Sequence, residues 1–234
     1  MKKLLILAVL VASMLYVGIA SAQPINNGTV VDYYLKQNTF PPNLNEQMVF
    51  LQATDQNGSS VVFGNVGSQT GSPLVRFSST TDSLIAANGY ATIKAVDGFI
   101  NNISIDVPGF LFTDLIFSLN LATTTPNPDH IVPSLDITAF TTGGNETFTD
   151  WTSLPDFVPG DNRILALSID DNLMYRVTIN SNLDTITGLS GGLDQLKQTE
   201  ISGLTPIRVP EPSLLTLLGF GLLGLAGMRR KIKI

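Results

Sequence analysis

The chain has 234 residues, 44% of them hydrophobic and 14% charged, with one His and no Cys. That length can bury a sizeable core unaided, and the missing Cys excludes disulfide scaffolds, thiol nucleophiles, Cys-ligated zinc and thiolate-held iron–sulfur clusters. Residues 23–212 hold 7 basic against 19 acidic side chains, which repels phosphate backbones and excludes nucleic acid as a partner.

In chain order, the first element is an address. Lys2-Lys3 precedes the apolar run Leu4–Ala12, and small residues follow at Ala20-Ser21-Ala22. A charged start, a short apolar stretch and an A-x-A site make a signal peptide, with cleavage expected between Ala22 and Gln23. The protein is expected to be exported.

The body then alternates apolar and polar residues, as half-buried strands do. The runs 48–53, 91–95, 103–107, 165–169 and 176–179 show it best. Turn residues punctuate them at Asp55-Gln56-Asn57-Gly58, Asn88-Gly89, Asp97-Gly98, Gly143-Gly144-Asn145, Asp170-Asp171-Asn172 and Gly191-Gly192. No stretch between Gln23 and Arg208 has a convincing helical apolar period. The expected fold is all-β, an antiparallel β-sandwich or jelly-roll-like domain of roughly ten to twelve strands. The Pro-marked stretch Thr123–Pro133 reads as its longest loop.

A faint internal repeat runs through this body. Ile93-x-Ala95-x-Asp97-Gly98 leading to Ile103-Ser104-Ile105 parallels Leu167-x-Ile169-x-Asp171-Asn172 leading to Val177-Thr178-Ile179, at an offset of 74. Each copy reads as a hairpin, and Phe112-x-x-Leu115 and Leu193-x-x-Leu196 extend the correspondence after a short insertion.

The tail has three parts. Pro210-Glu211-Pro212 is followed by an uncharged, Gly- and Leu-rich segment, 213–228, and then by Arg229-Arg230-Lys231. The apolar segment is short for a membrane span, which wants about 20 residues, and the cations would stay on the cytoplasmic side. This arrangement resembles the PEP-CTERM sorting signal of Gram-negative bacteria: motif, transmembrane helix and basic stop, in order. The resemblance implies recognition by an exosortase-type processing enzyme, transient anchoring in the inner membrane and removal of the tail near the motif. Families with this tail are typically exported proteins linked to exopolysaccharide production, biofilm or floc.

Candidate chemistry in the body is sparse. Gly188-Leu189-Ser190-Gly191-Gly192 has the spacing of a nucleophile elbow, but no His follows it, and His130 lies upstream in a proline-rich loop. Asp170-Asp171 would point to opposite faces of a strand and reads as a turn. Calcium is the one metal the turns favour, through hard oxygens at Asp55-Gln56-Asn57-Gly58 and Asp170-Asp171-Asn172; otherwise no cofactor is expected. Trp151 is a candidate sugar contact if exposed, and a core residue if not. The organisation is thus a signal peptide (1–22), a β-domain (23–207) and a sorting signal (208–234). The expected function is that of a non-catalytic, exported matrix or biofilm protein of the cell envelope. The alternatives are an exopolysaccharide-binding module and, further off, a secreted hydrolase.

Overall fold

The computed structural model describes residues 24–26, 28–35, 44–51, 58–67, 71–87, 89–90, 92–122, 134–149, 151, 154, 160–182 and 192–207. The expected signal peptide and its Ala22–Gln23 junction, the loop 123–133 and the whole tail lie outside them. Among the described residues no helix is long and apolar enough to cross a membrane; the expected transmembrane helix, 213–228, falls beyond them.

The described body is all-β. Its strands are β1 (Val31–Leu35), β2 (Gln47–Leu51), β3 (Val61–Val66), β4 (Leu74–Ser78), β5 (Leu84–Ala87), β6 (Gly89–Tyr90), β7 (Thr92–Ala95) and β8 (Asn102–Asp106). They continue as β9 (Phe110–Leu111), β10 (Asp114–Ala122), β11 (Ser134–Thr141), β12 (Gly144–Phe148), β13 (Gly160–Ser168), β14 (Met174–Asn182), β15 (Gly192–Ser202) and β16 (Thr205–Pro206). Each of the five alternating runs read from the sequence has most of its described residues on a strand, because residues that alternate in polarity can bury one face and wet the other.

Fourteen strands form one antiparallel sheet that bends round and nearly closes. One side runs β5-β7-β15-β10-β13-β1, the other β2-β3-β4-β8-β14-β11-β12. Where two separate layers were expected, β2 joins them: Gln47 and Met48 pair with β15, and Val49–Leu51 pair with β3. The bend needs close strand approach, and Gly64 supplies it, since a Cβ there would sit 2.5 Å from Val49 Cγ1. The inward side chains of both sides form one continuous core, including Val31, Phe77, Ile105, Phe117, Ile137, Ile164, Val177 and Leu196.

The free ends of the path, β1 and β12, meet across a seam closed by side chains. The Tyr33 hydroxyl donates to the Glu146 carbonyl (3.0 Å) and accepts from the Ala139 amide (3.0 Å). The Glu146 carboxylate accepts from the Thr29 amide (2.9 Å) and hydroxyl (3.0 Å). Burial pushes the Tyr33 phenol well above its ordinary pKa, so it stays a neutral donor. Tyr33→Phe would leave the Ala139 N–H and the Glu146 carbonyl without this partner in a dry place. We expect a loss of about 1–3 kcal/mol, measured as a lower urea midpoint at unchanged m-value.

The repeat is real in topology, and its reading as two hairpins needs correction. Each copy is strand, Asp turn, strand, yet the turn crosses from one side of the sheet to the other. β7 pairs with β5 and β15, whereas β8 pairs with β4 and β14. Likewise β13 pairs with β1 and β10, whereas β14 pairs with β11 and β8. The two copies meet at equivalent positions, Ser104 opposite Thr178, which differ by the repeat offset of 74. A local two-fold axis between these residues therefore relates β7-β8-β10 to β13-β14-β15. Turn chemistry alone suits a hairpin and a crossing equally, so only the pairing distinguishes them.

Candidate functional site

The expected sorting residues Pro210, Glu211 and Pro212 and the basic stop Arg229, Arg230 and Lys231 lie outside the described residues, as do His130 and Ser190. What the structure shows is the point from which the tail departs. β16 ends at Pro206, is paired with β9, and is followed by Ile207, whose amide donates to the Gly109 carbonyl (2.8 Å). The tail thus leaves from a pinned strand at one end of the body.

Trp151 is corrected. It is 0% exposed, its indole N–H donates to the Phe148 carbonyl (2.9 Å), and its ring meets those of Phe148 and Tyr33 edge-on at 4.9 and 5.7 Å between centroids. It plugs the β1–β12 seam from within and offers no face to a sugar. The sequence placed an aromatic beside polar neighbours, but burial was decided by the closure of the seam, which brings Tyr33 over from more than 100 residues away.

The expected calcium turns are only partly visible. Asp55, Gln56 and Asn57 lie outside the described residues. At the other turn Asp170 and Asp171 are exposed, and Asp170 takes the left-handed conformation (φ 53°) that Asp tolerates. Asn172 closes that turn by donating its side-chain amide to the Ile169 carbonyl (3.0 Å). Among the described residues no three His, Cys, Asp or Glu side chains converge in a way that could hold a metal ion.

Three polar arrangements come from residues the sequence reading had not singled out. In the first, Asp82, 5% exposed, accepts from Thr81 Oγ1 (2.7 Å), Ser79 Oγ (3.1 Å), the Asn101 amide (2.9 Å), Asn101 Nδ2 (2.9 Å) and the Asn102 amide (3.1 Å). Burial alone would push its carboxyl up. The bonds from Thr81, Asn101 and Asn102 outweigh that and hold it below the ordinary value. This carboxylate pins the β4–β5 crossing to the start of β8.

In the second, Asp114, 2% exposed, takes the Thr113 and Ser202 hydroxyls on Oδ2 while Oδ1 is buried without a partner. Thr113 immediately precedes β10 and Ser202 pairs with Asp114 from β15, so the group is local to that ladder.

The third is a cleft of about 280 Å³ lined by Met48, Arg163, Gln198, Thr199 and Glu200. It exists because β15 bulges: pairing with β10 jumps from Ile116↔Glu200 to Ser118↔Lys197, and Gln198 adopts φ 49°. Arg163 Nη2 lies 2.9 Å from each oxygen of Glu200. Burial raises the Glu200 carboxyl, Arg163 lowers it and Glu46 raises it again, with the upward direction winning. The cleft therefore presents a self-neutralised ion pair beside an amide and an exposed thioether, a lining suited to a small polar molecule rather than a strong ion. Sequence spacing gave no signal for it, since Arg163 and Glu200 meet only through β10 between them.

With this geometry in place, the comparisons with known proteins place the tail. Residues 208–231 match the PEP-CTERM protein-sorting motif. The chain thus carries a PEP-CTERM sorting motif after a body that is β-rich among the described residues. The signal implies export, recognition by an exosortase and processing at the membrane in bacteria. The match covers the tail alone, and no curated protein matches the chain.

Proposed function

We propose that the protein is a non-catalytic structural component of the extracellular matrix or cell surface of a Gram-negative bacterium, anchored transiently by its tail. The observation that carries this reading is the position of the sorting motif. It begins at residue 208, just after β16, the last strand among the described residues, so removal of the tail would release an intact β-body. The β-rich body supports the same reading: an acidic, cysteine-free surface keeps such a domain soluble outside the cell.

The test is replacement of Pro210, Glu211 and Pro212 together by Ala in the producing cell, followed by fractionation and immunoblotting. The expected result is accumulation of the unprocessed chain in the membrane fraction and its loss from the washed extracellular matrix. Processing and matrix recovery unchanged by the triple substitution would overturn the reading.

A further inference from the structure

We propose that the outward face of β4, β8, β14, β11 and β12 is a docking surface for a sparsely charged acidic polysaccharide, with Arg176 taking a uronate carboxylate. The inference deepens the matrix reading by naming the polymer and the contact. It rests on that reading for where the two would meet, while binding itself is read in vitro.

The register assembles this face from positions far apart in the chain. Thr147 lies opposite Thr138, Thr138 opposite Thr178, Thr178 opposite Ser104, and Ser104 opposite Ser78. A single row of hydroxyls thus crosses five strands, spaced by the strand separation of about 4.8 Å. Two of its pairs bond to each other, Thr138 to Thr147 and Ser104 to Thr178, both at 2.9 Å. Each hydroxyl still has capacity to spare, because it is one donor and two acceptors. Thr147 is exposed and the other four are half-buried, so the row is rigid and wet. A chain rich in hydroxyls can lie along it at low entropic cost.

Beside the row stands a cationic point. Arg176 lies opposite Phe140, with its guanidinium carbon 4.2 Å from the ring centroid. Its Nε is enclosed without a hydrogen-bond partner. Among the described residues Arg76 and Arg163 are ion-paired, to Asp106 and Glu200, whereas Arg176 has no ion pair. Tyr175 sits where the β11–β14 register slips, from Phe140↔Arg176 to Thr141↔Met174. It is 40% exposed, and its ring lies 6.1 Å from that of Phe140. A guanidinium held flat by stacking, an aromatic edge and a line of hydroxyls suit a sugar acid: carboxylate on the fork, ring on the aromatic, hydroxyls on the row.

Charge complementarity selects the polymer. With 7 basic and 19 acidic residues over 23–212, the body repels a dense polyanion, and a wholly neutral chain would leave Arg176 unanswered. A polysaccharide with widely spaced carboxylates satisfies both constraints.

The test measures binding of the full-length chain in mild detergent to highly methyl-esterified pectin, with dextran as the neutral probe. Arg176→Met and the double variant Ser104→Ala/Thr178→Val are compared with wild type after circular dichroism and Trp151 fluorescence show native folding. We expect pectin to bind at least tenfold more tightly than dextran, more weakly as salt rises, and at least tenfold more weakly to Arg176→Met. The double variant should weaken both probes. No binding of pectin, equal binding of dextran, or an Arg176→Met variant as good as wild type would each overturn the proposal. Failure of the matrix reading shows separately, in the sorting-motif fractionation, which does not depend on Arg176.

Discussion

Trp151→Ala is expected to destabilise the body by about 3–5 kcal/mol, the usual cost of truncating a fully buried large aromatic. For a domain of this size that lowers the melting temperature by roughly 10 °C. The reason is position as well as volume. The indole fills the space where the two ends of the sheet face each other, edge-on to Tyr33 and Phe148. The cavity it leaves would lie under the hydrogen bonds by which Tyr33 bridges β1 to β11 and β12, so seam and core weaken together. Trp151→Phe keeps a buried aromatic ring but loses part of the indole volume and the bond to the Phe148 carbonyl, so its cost should be smaller, about 1–3 kcal/mol. Urea unfolding followed by circular dichroism measures both. A Trp151→Ala midpoint within error of wild type would put the indole outside the core and restore it as a surface contact.

The second large effect is at Asp82. Asp82→Ala strips five donated hydrogen bonds from one buried place and leaves the Asn101 and Asn102 amides unpaired at the start of β8. A loss of about 3 kcal/mol at neutral pH follows. Its pH dependence carries the distinguishing sign. The folded carboxyl is held below the ordinary value of 3.8, so its ionised form stabilises the fold. That stabilisation is complete above the ordinary value and is lost as pH falls through the lowered folded value. The gap between wild type and Asp82→Asn should therefore be widest at neutral pH and shrink as pH falls below 3.8. Urea midpoints taken at several pH values settle it. A gap that stays constant into strong acid would mean that the donors do not hold a carboxylate.

The cleft at β15 and the face around Arg176 stand at different distances from the sequence. The alternation that identifies β14 also marks Arg176, Thr178 and Asn180 as its outward residues, because a strand exposes every second side chain. What the alternation could not supply is the neighbour. Thr178 meets Ser104 across the local two-fold, and Thr138 reaches it from a strand that lies beyond the segment 123–133. The cleft was further out of view. It depends on one extra residue in β15, and a bulge has no dependable signature when the residue taking the left-handed conformation is Gln198 rather than Gly.

By itself the sequence determined that the chain carries a sorting motif and what kind of body precedes it. Both are local properties: a sorting motif is read as a contiguous string, and strand character follows from alternation over five or six residues. The tertiary structure decided which strands pair, that the Asp turns cross the sheet instead of folding back, that Trp151 is sealed inside, and that among the described residues Arg176 is left without an ion pair while Arg76 and Arg163 have one. These depend on contacts between residues tens to more than a hundred positions apart. Their energies come from burial and register, which no short window of sequence contains.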